Sequence, residues 1–187
     1  MEKRRLLPAL AAILLLAGIP VRAQRFSLGT NAVDWATLGT MNLEASVSGA
    51  RMLSFHAGAE YNPWAYGLPE DGSRKQLKQL SCWAGLRWWP WHVYSGWWAG
   101  TDARWSVYSE GGFSSPETEE GNAWGAGLYG GYGVMLSDRW NLDLGAGIWG
   151  GWKQYRRYAC PVCGRALDQG SGPFIMPDAR IALQYVF

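Results

Sequence analysis

From Trp140 to Lys153 the chain reads WNLDLGAGIWGGWK, and its residues alternate in character. Trp140, Leu142, Leu144, Ala146, Ile148 and Trp152 form one set. Asn141, Asp143, Gly145, Gly147, Gly151 and Lys153 form the other, with Trp149 among them. A period of two places successive side chains on opposite faces of a strand and gives a helix no apolar stripe. Residues 95–107, 122–135 and 174–187 repeat the pattern. In 122–135 the set opposite Trp124, Ala126, Leu128, Tyr132 and Val134 is mostly glycine. Eight strands are predicted, near 26–33, 41–48, 52–62, 79–89, 95–107, 122–135, 139–153 and 174–187.

The N-terminus constrains where such a chain goes. Lys3, Arg4 and Arg5 precede an apolar run from Leu6 to Ile19, and Val21-Arg22-Ala23 ends on a small residue. This is the pattern of a secretory signal over residues 1–23, with one domain over 24–187. The run is short for a membrane-spanning helix. Removing the leader takes four basic residues and one acidic residue, so the net charge moves from +2 to −1. No nucleic-acid footprint remains. No later segment reads as a membrane helix, so entry into a membrane requires a closed barrel without open strand edges.

The connections favour that architecture. Tight turns are predicted at Ser48–Arg51, Pro90–Val93 and Ser137–Asp138, and longer links at 65–78, 108–121 and 154–173. The link near Trp35–Thr40 is brief. Short turns on one side and long loops on the other are the layout of an eight-stranded antiparallel transmembrane β-barrel, with termini and turns periplasmic and the longer loops outside. A soluble ligand-binding barrel in the periplasm has the same period with its faces reversed. Against it, the polar face is rich in glycine and carries few, mixed charges: Glu44, Glu60, Arg87, Asp102, Arg104, Asp143, Asp178 and Arg180. An eight-strand lumen is filled by its own side chains and needs small residues and paired charges. Trp83, Trp98, Tyr129 and Trp149 share that inward register, so the lumen is expected to be plugged.

The stretch RWWPWHVYSGWW at 87–98 then acquires a depth. Trp88 and Trp97, with Trp140, fall on the outward face, where an aromatic girdle meets the membrane–water boundary on the turn side. Trp91 lies in the turn, whereas Trp89 and Trp98 point inward. The closing segment IALQYVF alternates up to Tyr185 and Phe187 and resembles the signal read by the barrel-assembly machinery of bacterial outer membranes.

Several short segments carry a family resemblance. They are Gly29-Thr30-Asn31-Ala32, Asn42-Leu43-Glu44, Tyr61-Asn62-Pro63-Trp64, Arg87-Trp88-Trp89-Pro90, Gly125-Ala126-Gly127, Gly131-Tyr132-Gly133 and Cys160-Pro161-Val162-Cys163-Gly164. Together they resemble a Bacteroidota family known as domain of unknown function 3575, over the whole mature chain. The resemblance implies a small outer-membrane-type barrel, often encoded near fimbrial or surface-protein genes. It implies no reaction and no catalytic residues.

Motifs with intrinsic chemistry are few. Cys160-Pro-Val-Cys163 is a single knuckle, and a structural zinc site needs a second. In an exported loop a Cys160–Cys163 disulfide is favoured, with free thiols and a metal as alternatives. Cys82 is expected to face lipid. Ser54, His56 and Glu60 share an inward face, the residue types of an outer-membrane lipid-modifying enzyme. Neighbours on one face arise by chance, and a structural hydrogen bond is the simpler reading. Glu110, Glu117, Glu119 and Glu120 make one outer loop acidic, and Arg156, Arg157 and Arg165 make the next basic, which favours neutralisation between loops over lipopolysaccharide or surface-partner contact by the basic cluster. The expected protein is a non-enzymatic outer-membrane barrel without a cofactor, with lipid, the assembly machinery and a surface or fimbrial protein as partners.

Overall fold

The computed structural model describes residues 26–67, 75–113, 117–160 and 164–187. The leader predicted at 1–23 lies outside the described residues, as does Cys163. The chain forms nine antiparallel strands and one short helix: β1 (Phe26–Asn31), α1 (Ala32–Ala36), β2 (Met41–Ala50), β3 (Leu53–Asn62), β4 (Ala65–Tyr66), β5 (Lys75–Trp88), β6 (Gly96–Gly111), β7 (Thr118–Met135), β8 (Trp140–Tyr158) and β9 (Ala166–Val186). Eight of the strands correspond to those read from the alternation. The ninth, β4, is a two-residue strand beside the start of β5, too short to leave a periodic trace. Strands β5 to β9 run longer at the loop end than expected, so Glu110, Glu119, Glu120, Arg156 and Arg157 sit on strands and not in loops. Polar residues on both faces hid that extension from the hydrophobic pattern.

Hydrogen bonding closes on itself. Each strand from β5 to β9 pairs with the next, β9 pairs with β1, and β3 pairs with β5. The ring closes with a stagger. Following the register from Gly29 through Glu44, Gly58, Trp83, Arg104, Gly125 and Gly151 arrives at Phe174, whereas Gly29 itself pairs with Gln184. A closed eight-strand sheet with that offset has strands tilted by about 40° and a bore filled by side chains.

The usual partition of residues is inverted. Among the described residues only seven hydrophobic side chains are buried, against seventeen polar or charged ones. Leu43, Phe55, Leu86, Leu128, Ile148 and Ile181 all stand exposed on the outer face. The buried apolar groups gather at the turn end, where Trp89, Val93, Tyr94, Trp98 and Val186 make one cluster. Tyr94 at φ 69° and Gly96 at φ 79° turn the chain sharply there, folding the β5–β6 connection under the ring. Glycines line the inner wall where rings lie flat on it. A Cβ at Gly58 would meet the Trp83 ring, one at Gly131 or Gly145 the Trp98 ring, and one at Gly127 or Gly147 the Tyr129 ring.

The seam between β1 and β9 is incomplete. Their ladder runs from Ser27↔Val186 to Asn31↔Ala182, and β1 then stops. The expected strand at 26–33 is therefore shorter, because α1 begins at Ala32. The Asn31 side chain supplies one further rung: Oδ1 accepts from the Ile181 N–H at 2.9 Å, and Nδ2 donates to the Ala179 carbonyl at 3.2 Å. Oδ1 also accepts from the Val33 N–H, capping α1. Odd-numbered residues of β9 thus aim their backbone polar groups at the seam. Of the next three that lie above the last rung, Pro177, Ile175 and Pro173, two have no N–H to leave unpaired. Proline belongs on such an open edge. Asn31→Ala should lower the unfolding free energy by about 1–3 kcal/mol, the scale of leaving buried amide groups unpaired. The shift in urea midpoint measures it.

Candidate functional site

All eight charges assigned to the inward register, Glu44, Glu60, Arg87, Asp102, Arg104, Asp143, Asp178 and Arg180, face the interior, because they hold one parity on each of their strands. They divide into two groups. In the lower one, Glu44 and Asp143 alternate with Arg87 and Arg180. Arg87 donates to Glu44 at 2.8 Å and lies 3.5 Å from Asp143. Arg180 donates to Glu44 at 2.8 Å and, through Nε, to Asp143 at 2.7 Å. Two indoles complete the set: Trp83 Nε1 donates to Glu44 at 3.1 Å and Trp98 Nε1 to Asp143 at 2.6 Å. Gln184 adds a further donor to Asp143 at 3.2 Å. The guanidinium of Arg87 also lies 4.8 Å from the Trp98 ring centre. The residues come from β2, β5, β6, β8 and β9, so the group ties opposite walls of the ring together.

The upper group centres on Arg104. Its guanidinium sits 5.1 Å from the ring of Trp83, 5.3 Å from Trp149 and 5.9 Å from Tyr129. It pairs with Asp178 at 3.0 Å and more loosely with Asp102 at 3.7 Å. Glu60 lies in the same field. Asp34 reaches it from α1, a residue the alternation could not flag because it lies off the strands. Its carboxyl is held by Asn31 Nδ2 at 3.0 Å. Burial first, and then the charges of Glu60 and Asp178, push the Asp34 carboxyl up to about 7, against the opposing pull of Asn31 and Arg104.

Hydrogen-bonding roles missed at the sequence level belong to neutral residues. Trp83 and Trp98 were legible as inward rings, but their N–H donors acquire meaning only from carboxylates on other strands. Ser54, His56 and Glu60 do share the inner face, yet Ser54 Oγ accepts from Trp89 Nε1 at 3.0 Å and is thereby engaged in the apolar cluster. His56 Nδ1 makes no hydrogen bond among the described residues. The pair is not coupled as nucleophile and base. Among those residues no three His, Cys, Asp or Glu side chains gather to hold a metal ion. Cys82 is free and exposed on the outer face, and Cys160 is disulfide-bonded. At the loop end, Glu119 accepts from Tyr108, Lys153 and Arg157. Burial alone would raise its carboxyl, but these donors hold it below the usual range.

On the outer face the aromatic residues collect at two levels. Trp88 and Trp97 are exposed at the turn end, where Trp97 packs edge-on against Tyr132 at 5.2 Å and Trp140 against Tyr185 at 5.1 Å. Phe187 stacks between Tyr185 and Phe26. Towards the loop end, Trp105, Trp124 and Trp152 stand side by side on β6, β7 and β8.

Two outcomes follow from the interior. Arg180→Met strands two buried carboxylates and should cost about 3–5 kcal/mol. The double variant Glu44→Gln/Arg180→Met should cost less than the sum of its singles in a urea double-mutant cycle. The Asp34 carboxyl is raised above its ordinary 3.8, so the stabilising neutral form is complete below that value and is lost as pH rises through about 7. The urea midpoint should therefore fall between pH 5 and pH 8, and Asp34→Asn should flatten that fall.

The chain matches no curated protein. The sequence profile of the family described as "Protein of unknown function (DUF3575)" matches residues 9–187, nearly the entire length, and the chain belongs to that family.

Proposed function

We propose that this protein is a small β-barrel of the bacterial outer membrane with a closed interior, acting in surface interaction and not as a catalyst. One observation carries the reading. Between the two aromatic levels, the outward faces of all eight long strands bear no Asp, Glu, Lys, Arg or His. Leu128, Ile148, Leu144, Ala103, Ala126 and Leu43 all stand exposed there. Water is a poor solvent for a continuous apolar belt of that size, and a hydrocarbon layer is a good one. Thr101, one of the few polar residues on this face, donates its hydroxyl to the Gly127 carbonyl at 2.8 Å and leaves no free donor.

The dimensions agree. Trp124 and Tyr132 bracket eight residues of β7, about 26 Å along the strand, and Trp140 and Trp152 bracket about 40 Å of β8. A tilt of about 40° reduces these to roughly 20–30 Å, around the ~25 Å apolar band of such barrels. Trp88, Trp97 and Trp140 then serve as the girdle on the periplasmic side. Tyr185 and Phe187, outward on β9, are the part we assign to recognition by the assembly machinery, with export through the leader at 1–23.

The interior favours a plug over a channel. The Glu44–Arg87–Asp143–Arg180 group spans the bore, and the Trp89–Tyr94–Trp98 cluster closes it beneath. Above the upper aromatic level, β6 to β9 carry polar faces, with Glu119 and Arg157 paired across β7 and β8 at 3.0 Å. That raised wall is where we place contact with a fimbrial or other surface protein. The test is refolding into lipid vesicles. The folded protein should migrate differently in gels when unheated and heated, and it should pass no steady current across a planar bilayer. Leu128→Arg, midway between Trp124 and Tyr132, should cost about 2–4 kcal/mol in lipid. Mature protein that stays monomeric in water without detergent would refute the membrane reading.

A further inference from the structure

Above the charged group that spans the bore lies a cavity of about 50 Å³, room for a molecule of a few heavy atoms. It is blind. The ion-paired group and the apolar cluster close it below, and it lies beside the place where β1 stops and α1 takes over. Arg87 and Arg180 on its floor are committed to Glu44 and Asp143. Of the other lining residues, Arg104 is the one permanent cation, facing the carboxyls of Asp34, Glu60, Asp102 and Asp178. Once ionised, these carboxyls outnumber their counterions.

Unused hydrogen-bonding groups mark the same space. Of the five buried side-chain atoms without a partner among the described residues, four belong to the walls of this cavity: Asp102 Oδ1, Arg104 Nε, Tyr129 Oη and His56 Nδ1. Asp102 is only 6% exposed and His56 only 5%. Tyr129 lies beside Asp102 and can engage it, which leaves Arg104 Nε and His56 Nδ1 unused. Leaving such groups unmade is costly, so they mark where an occupant belongs. A bare metal ion does not fit, since the acidic side chains do not converge on one point. The walls instead offer the Asp102 carboxylate and the Arg104 guanidinium, 3.7 Å apart on β6, with the Tyr129 phenol beside them. They suit an occupant with a positive N–H donor at one end and an oxygen acceptor at the other.

We propose that this chamber, bounded by Asp34, Glu60, Asp102 and Asp178 with Arg104 and Tyr129, binds a small amino alcohol, its ammonium against Asp102 and its hydroxyl towards Arg104 Nε. The free amine is the occupant, because the phosphate of a lipid headgroup would be repelled by the same carboxylates. Binding and protonation compete for the chamber. Asp34 on α1, facing Glu60 on β3, Asp178 on β9 and Arg104 on β6, loses its charge as pH falls, and binding weakens with it. The inference uses only the closed ring and its interior, so it stands or falls apart from the membrane reading.

The experiment is calorimetric titration of ethanolamine into the refolded full-length mature chain in detergent at pH 8, with sodium chloride at matched ionic strength as reference. Saturable binding is expected. It should weaken about tenfold in Asp102→Asn, the scale of one lost charged hydrogen bond, and weaken again at pH 5. Methylammonium, which lacks the hydroxyl, should bind less tightly than ethanolamine. Asp34→Asn, outside the strands, probes the same chamber if Asp102→Asn does not fold, and should also weaken binding. Heat indistinguishable from the salt reference, or undiminished affinity in a folded Asp102→Asn or Asp34→Asn variant, overturns the proposal.

Discussion

Closing eight strands into a ring with a ten-residue stagger leaves a narrow bore that side chains largely fill. Most groups pointing inward then find their partners on other strands, those around the upper chamber being the exception. Much of the molecule is arranged around this. Glycines at 58, 127, 131, 145 and 147 make room for the flat rings of Trp83, Trp98 and Tyr129. Those rings carry their N–H groups to Glu44 and Asp143 or shield the guanidinium of Arg104. A bulky interior and a glycine-rich wall are two sides of one packing solution.

The charged group that crosses the bore is a weak source of net stability and a strong source of specificity. Removing four charges from water is expensive, and mutual attraction at close range does little more than offset it. Once buried, however, each charge penalises any register that separates it from its partner. A slip by one residue in β2 or β8 would turn Glu44 or Asp143 to the outer face. In the proposed bilayer that error would be prohibitive, so the interior network helps to enforce the pairing of strands whose outer faces are interchangeably apolar.

The seam between β1 and β9 is the exception to closure. Asn31 imitates one backbone rung, Pro173 and Pro177 remove donors that would find no acceptor, and α1 fills the gap with Asp34 turned inward. Ring strength and access to the interior are therefore unevenly distributed. The turn end is sealed by aromatic packing, whereas the loop end beside α1 is held by a few hydrogen bonds and a carboxyl sensitive to pH.

Much of this architecture was legible in the amino-acid order alone. Alternation from Trp140 to Lys153 and its repeats determine strands, their parity and the inward set from Glu44 to Arg180, because period two is a local property. It also separates Trp88 and Trp97 from Trp89 and Trp98. What the order of residues could not determine is which inward groups meet. Glu44 and Arg180 lie far apart in sequence, and only the stagger of the closed ring brings them within 2.8 Å. The extension of β5 to β9 was hidden because polar residues occupy both faces there, and β4 because two residues have no period. α1 and Asp34 escaped for a related reason: their role depends on β1 ending early, where Asn31 bonds to β9 as well as capping the first turn of α1. Local patterning decides faces; closure decides partners.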